Sequence, residues 1–371
     1  MVMLTYVIYV GVMAFSVAFL ELYKRDCKAS TGVVIAPGKG IYFPFFVAFL
    51  LAFLSGIRYE VGVDWYGYVT SYDTLRMTGY DRAIIDRWEL GYSLINRFFA
   101  WINAGYQWMF FSVALIGWGV YFRSIPYLLL PLSVYFLFAG ELYFWSNNAV
   151  RQFVSAAFFV FSLKFIKERK LLSYLLALAA GALFHISILI LMPLYFIAPR
   201  IPLSKILMPS VMLATFVAGQ SSIYMSLLAF VESNLLGLTS FLGYGGYVDR
   251  LQPVELPDLG LGFYWIIFTN LIIITLLSSA HKIEPYIRNV FVVFFVGAIL
   301  FNLFYVSQLM GRITVYFLFV KPILLAYIVI AFRNNIFGIL LKLGLLIGYF
   351  VIYVIAIQSS SHQCCPYKWL L

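Results

Sequence analysis

The feature that most constrains the fold is an island of charge in an apolar chain. Between Arg58 and Arg97, RYEVGVDWYGYVTSYDTLRMTGYDRAIIDRWELGYSLINR places five arginines and six acidic residues within forty positions. The chain of 371 residues as a whole is 64% hydrophobic and only 11% charged. Soluble domains average roughly 25% charged residues, so this composition belongs to an integral membrane protein. Isolated charges are costly to leave in hydrocarbon. The island therefore lies in water or lines a polar cavity, with apolar spans on either side of it.

A membrane helix needs about 20 apolar residues, fewer where protein shields part of it. That measure predicts twelve helices, near 2–20, 41–57, 107–122, 124–140, 150–166, 171–184, 186–198, 206–221, 261–280, 289–306, 313–331 and 336–357. Leu171 to Ala198 reads alternatively as one long tilted helix, which would switch the side of every later loop. The alternating polarity of an outer-membrane barrel does not occur. The N-terminal run lacks a basic region and a small-residue cleavage site, so a retained first span is expected. Cys27, Cys364 and Cys365 have neither metal-ligand spacing nor a disulfide framework and read as incidental.

Lysine and arginine in the connecting loops set the orientation. One set of alternate loops holds Lys24, Arg25, Lys28, Lys39, Arg123, Lys164, Lys167, Arg169, Lys170, Arg200, Lys205, Lys282, Arg288, Arg333 and Lys342. The other holds Arg58, Arg76, Arg82, Arg87, Arg97, Arg151, Arg250 and Arg312, with Lys368 in the tail. The first set is assigned to the cytoplasm, which places both termini and the charged island outside. The net charge of +10 is thus explained by topology, and the scattered basic residues form no nucleic-acid patch. Eleven of the fifteen acidic residues fall in the outer set, so that face retains charge while its inter-helix loops exclude lysine. Arginine suits bidentate grip of phosphate or carboxylate, although the bias against outer lysine alone would produce the same pattern. Two outer segments are long: an external loop over 58–106, expected to carry the active site, and a second over 222–260.

Five short constellations carry candidate chemistry. Arg58, Gly62, Asp64 and Tyr66 follow the second helix. Glu89 begins WELGY, and helical spacing puts Glu89, Tyr92 and Asn96 on one face. Arg151 and Gln152 open an apolar helix behind Asn147 and Asn148, and a helix start attracts anions. His185 and Ser187 interrupt an apolar stretch. Arg312 stands at an outer helix end before Thr314 and Tyr316, with Lys321 about 13 Å deeper along the same helix. Each has a plainer structural reading: interface aromatics, a capping glutamate, a snorkelling arginine, or a histidine bonded to a neighbouring helix. No phosphate-binding glycine loop, zinc-protease helix or nucleophile elbow occurs.

Taken in order, FLSGIRYEVGVDWYGYV, WELGYSLIN, NNAVRQFVSAAFF, LLALAAGALFHISILILMPLYF and GRITVYF resemble the EpsG-like group of O-antigen and exopolysaccharide polymerases, often called Wzy. The resemblance implies an all-α, GT-C-like polytopic membrane protein with about twelve transmembrane helices, forming a single transmembrane domain over 1–371 with two larger external loops. It also implies polymerisation of undecaprenyl-diphosphate-linked repeat units at the outer face of the bacterial inner membrane. On that reading Asp64, Glu89 and His185 are candidate bases, and Arg58, Arg151 and Arg312 bind the diphosphate. Gly62, Tyr66, Gln152 and Tyr316 support them. No cofactor or metal is expected. The partners are lipid-linked glycans, membrane lipids and, as a further candidate, a chain-length regulator, with no nucleic acid. A lipid-linked oligosaccharide flippase and an O-antigen ligase stay open as alternatives.

Overall fold

The computed structural model describes residues 2–27, 42–79, 88–228, 230, 259–280, 283–307, 311–332 and 334–369. Among these the regular structure is helical, and the one bridge between extended residues joins Arg58 to Trp369. In chain order the helices are α1 (Val2–Cys27), α2 (Tyr42–Ile57), α3 (Trp65–Thr78), α4 (Leu90–Trp101), α5 (Tyr106–Arg123), α6 (Leu130–Ala139), α7 (Leu142–Asn148), α8 (Val150–Lys167) and α9 (Leu171–Ala182). They continue with α10 (Leu207–Gly219), α11 (Leu261–Ser278), α12 (Pro285–Phe304), α13 (Gly311–Leu318), α14 (Lys321–Ala331) and α15 (Ile336–Gln358). Most of the expected second external loop, 231–258, lies outside the described residues, as do Arg82, Arg87 and Arg250.

Of the twelve expected spans, five among the described residues are long and apolar enough to cross a membrane alone: Met3–Arg25, Leu261–Ser278, Pro285–Phe304, Gly311–Ala331 and Ile336–Gln358. A sixth is counted if α10 and the helix Ser222–Leu228, bent by 78° from it, form one span. The others are too short or too polar. Helix α8 has 18 residues but includes Arg151, Lys164 and Lys167. The predicted 313–331 span is present as Gly311–Ala331, with a short break before Lys321, where Pro322 in the first turn of α14 lacks an amide hydrogen to continue an earlier ladder. The chain also leaves helical geometry at His185 (φ −157°, ψ 111°), so Leu171 to Ala198 is not one helix. A 3-10 segment Ile186–Leu191 and a single turn at Leu194–Ile197 follow instead.

The chain divides into two compact units, one of Met1–Tyr195 with Lys321–Leu371 and one of Phe196–Val320. In the second, Asn302 on α12 donates from Nδ2 to the Met212 carbonyl at 2.9 Å and to Thr215 Oγ1 at 3.1 Å, joining α12 to α10. In the first, the charged island is largely helix. Its α3 and α4 bury Trp65, Tyr72 and Tyr92 against Met109 and Phe110 of α5 and Val154 of α8. Within the external loop expected over 58–106, residues 71–78 belong to packed α3, with Tyr72 donating to the Ala104 carbonyl at 2.7 Å. Residues 80–87 lie outside the described residues.

The tail after α15 is built into the first unit. Tyr9 donates to the Cys364 carbonyl at 2.7 Å, and Tyr367 donates to the Leu54 carbonyl at 2.7 Å. The amides of Tyr59 and Gly62 donate to the carbonyls of Lys368 and Gln363, both at 2.9 Å. Cys364 and Tyr367 are buried, so the tail cysteines serve as packing residues. Burying a large apolar side chain contributes about 1.5–3 kcal/mol, and each hydrogen bond about 1 kcal/mol. Removal of residues 359–371 is therefore expected to destabilise the detergent-solubilised protein by at least ~3 kcal/mol, read as a lowered thermal midpoint.

Candidate functional site

Three segments converge on the carboxylate of Glu89, which stands in extended conformation just before α4. Arg151, in the first turn of α8, donates from Nη1 to Glu89 Oε2 at 2.6 Å. Nδ1 of His185 lies 3.0 Å from Oε1, and the Ile186 amide donates to the same oxygen at 3.3 Å. The interruption after α9 makes this possible, because it frees the Ile186 amide from helical bonding and turns the ring toward Glu89. Gly91 brings the two backbones together: its amide donates to the Leu183 carbonyl at 2.8 Å, and a Cβ there would meet Leu183 at 2.9 Å. Ser155 on α8 donates to the His185 carbonyl at 3.1 Å.

The cluster is largely enclosed yet reachable. Side-chain exposure is 14% for Glu89 and His185 and 24% for Arg151. Burial raises the Glu89 carboxyl, but the His185 hydrogen bond and the Arg151 charge outweigh it and hold the group below its ordinary value. These partners hold Glu89 as the carboxylate. It fixes Nδ1 of His185 and leaves Nε2 with no partner among the described residues, the arrangement by which a carboxylate orients an imidazole base. The Arg151 guanidinium also lies 5.6 Å from the Tyr92 ring centroid. Tyr68, which burial pushes upward, feels the charges of Arg151, Asp64 and Arg58 and so lies among them.

Arg58 is placed differently from Arg151. It is 1% exposed, with its guanidinium 4.3 Å from the centroid of Phe110 and Nη1 donating to the Asn147 carbonyl. Nε and Nη2 are buried without a protein partner, beside a cavity of about 10 Å³ lined by Ser55, Ser146 and Asn147 among others. That space holds about one water. The Arg58 backbone forms the bridge to Trp369 of the tail.

The remaining expected residues stand on other elements. Asp64 and Tyr66 are exposed at the start of α3, and Gly62 has φ +102°. Gln152 is buried on α8. Arg312, exposed, and Tyr316, buried, belong to the second unit. The sequence reading overlooked the tail, and with it Glu141, which accepts a hydrogen bond from Ser361. The only available signal was the polar run Ser359 to Gln363 directly after a long apolar helix. Among the described residues no group of three or more His, Cys, Asp or Glu side chains could hold a metal ion.

Helices of this length and apolarity, with an ionised cluster built from polar interruptions between them, define a multi-pass helical membrane protein. The model of the EpsG family matches residues 41–369, and the chain belongs to that family. Membership places it with exopolysaccharide-related, polymerase-like membrane proteins. No curated protein and no solved structure matches the chain.

Two measurements check this geometry. Arg58→Lys loses the planar stack on Phe110, so it is expected to destabilise the protein by roughly 2 kcal/mol, visible in the thermal midpoint. Because the Glu89 carboxyl is lowered in the folded state, its stabilisation is fully present above the ordinary value of 4.5 and is lost as pH falls through the lowered value. Glu89→Gln should flatten the acid side of the profile of thermal midpoint against pH.

Proposed function

We propose that the protein is a glycosyltransferase that polymerises lipid-diphosphate-linked oligosaccharide repeat units, with undecaprenyl diphosphate as the lipid carrier. The reaction is placed at the outer face of the bacterial inner membrane. The observation that carries this reading is the Glu89–His185–Arg151 cluster, in which one carboxylate orients an imidazole and pairs with a cation.

In the proposed step an acceptor sugar hydroxyl attacks the anomeric carbon of the donor chain. The new C–O bond forms as the bond to the diphosphate breaks, and its electron pair leaves with the lipid diphosphate. Nε2 of His185 takes the hydroxyl proton, and ionised Glu89 stabilises the imidazolium that results. Arg151 offsets charge developing on the leaving diphosphate, the kind of preorganised stabilisation that acts most strongly in an enclosed site. Buried Arg58 supports the wall behind this cluster, and exposed Asp64 is the second candidate base. The outer placement rests on the lysine and arginine distribution, and a chain-length regulator is the protein partner such a reaction suggests.

The test is complementation of a deletion strain, read as a polysaccharide ladder on a gel. Loss of the gene should leave single repeat units; loss of all repeat units would instead indicate a flippase or ligase. His185→Gln should reduce polymerisation by about 100-fold, the lower range for removal of a general base. Arg151→Lys should also leave mostly single units at normal protein levels, because it keeps charge but loses the fork. Arg76→Lys, on a half-exposed pair with Asp73, should keep the full ladder. Wild-type ladders from both His185→Gln and Arg151→Lys would refute the assignment.

A further inference from the structure

Arg58 is a buried cation to which the described residues supply no counter-charge. Its guanidinium donates from Nη1 to the Asn147 carbonyl, while Nε and Nη2 are buried with no protein partner. The acids close in sequence or in the site are engaged elsewhere. Glu60, two residues on, pairs with Lys368 at 2.8 Å, and Glu89 pairs with Arg151. Among the described residues no carboxylate pairs with Arg58. The face of Phe110, 4.3 Å away, compensates part of the charge. A guanidinium taken fully out of water requires more than a ring, because an uncompensated buried charge is among the costliest features a fold can carry.

The cavity of about 10 Å³ that Arg58 lines has walls of one hydrogen-bonding kind. Ser55 on α2 spends its hydroxyl hydrogen on Asn147 Oδ1 at 2.9 Å, and Ser146 on α7 spends its own on the Tyr143 carbonyl at 2.7 Å. The Asn147 carbonyl already accepts from Arg58. The hydroxyl of Tyr143, which lies against Ser55 and Asn147, is buried with no partner. What is left over at this point is a set of donors: the N–H groups of Arg58 and the O–H of Tyr143. The rest of the wall is apolar, Phe110, Val150 and Phe153 among it.

That inventory distinguishes between occupants. A water accepts from these donors but brings two hydrogens of its own, and the acceptors around it are already engaged. A monatomic anion accepts from every donor, brings no hydrogen and supplies the missing charge. Chloride is only slightly larger than water, whereas phosphate, sulfate and a lipid diphosphate exceed a space that holds about one water.

We propose that this cavity is a halide site, occupied by chloride, which serves as the counter-ion of Arg58 and joins the end of α2 to α7. The inference does not depend on the polymerase reading, since the ion takes no part in the transfer.

The test uses the full-length protein in detergent, dialysed into sodium gluconate and then into sodium chloride or sodium bromide at the same ionic strength. The thermal midpoint should rise saturably with either halide, by several degrees, as binding to the folded state alone requires. It should not rise in gluconate, and equilibrium dialysis with radioactive chloride should retain one ion per protein. Arg58→Met should abolish the halide response. Tyr143→Phe keeps the ring and removes one donor, so it should raise the half-saturating chloride concentration about tenfold, the size of one hydrogen bond to a charged partner. Equal midpoints in all three salts with no chloride retained would mean that the cavity holds water, and the proposal fails. A halide response of wild-type size in Arg58→Met places the ion elsewhere and also overturns it. If Arg58→Met yields no folded protein, Tyr143→Phe decides by the same criterion: wild-type affinity for chloride in that variant refutes the site.

Discussion

The carboxylate of Glu89 is the contact on which the site depends. It joins the start of α4, the first turn of α8 and the interrupted chain at His185 through Arg151, Nδ1 of His185 and the Ile186 amide. A largely enclosed carboxylate needs such partners, since burial of an uncompensated charge is prohibitive. The requirement also runs backward to the fold. In a continuous helix from Leu171 to Ala198, the Ile186 amide would bond to the carbonyl four residues earlier and could not reach Glu89. The break after α9 is therefore part of the site as much as of the fold.

Much of this was legible as sequence. Long apolar runs gave most helices to within a few residues, because a run without charge has few alternatives in a membrane. The boundaries that moved did so at prolines and charges. Helix α12 begins at Pro285, with Glu284 accepting from the Ile287 amide at 3.1 Å. The shortened α6 has Pro131 in its first turn. Arg151 and His185 were visible as polar residues in an apolar context and Glu89 as part of the charged island, though their mutual contact was not, since they are separated by 62 and 96 positions.

What sequence did not convey was the difference between Arg58 and Arg151. Both follow or begin an apolar helix, and both suggest a cation at an interface. Arg58 lies over Phe110 and donates to the Asn147 carbonyl, and the tail pairs with the nearby Tyr59 and Gly62 across about three hundred residues. A short segment with no helical or strand period gives no pattern to read. Its burial of Cys364 and Tyr367 therefore emerges only in three dimensions.

That pairing gives the Arg58, Gly62, Asp64 spacing a physical meaning. Arg58 turns inward to stack on Phe110, Gly62 passes against Asn148, and Asp64 is delivered outward at the start of α3. A Cβ on Gly62 would sit 2.6 Å from Asn148 Oδ1, and φ +102° is costly for any other residue. Asn148 in turn holds the His362 carbonyl and ends the helix just before Arg151. A displacement of the Gly62 turn would thus act on the tail and on the start of α8 together. The two arginines are consequently unequal in their contacts: Arg151 pairs with Glu89, whereas Arg58 lies over the Phe110 ring and donates to the Asn147 carbonyl.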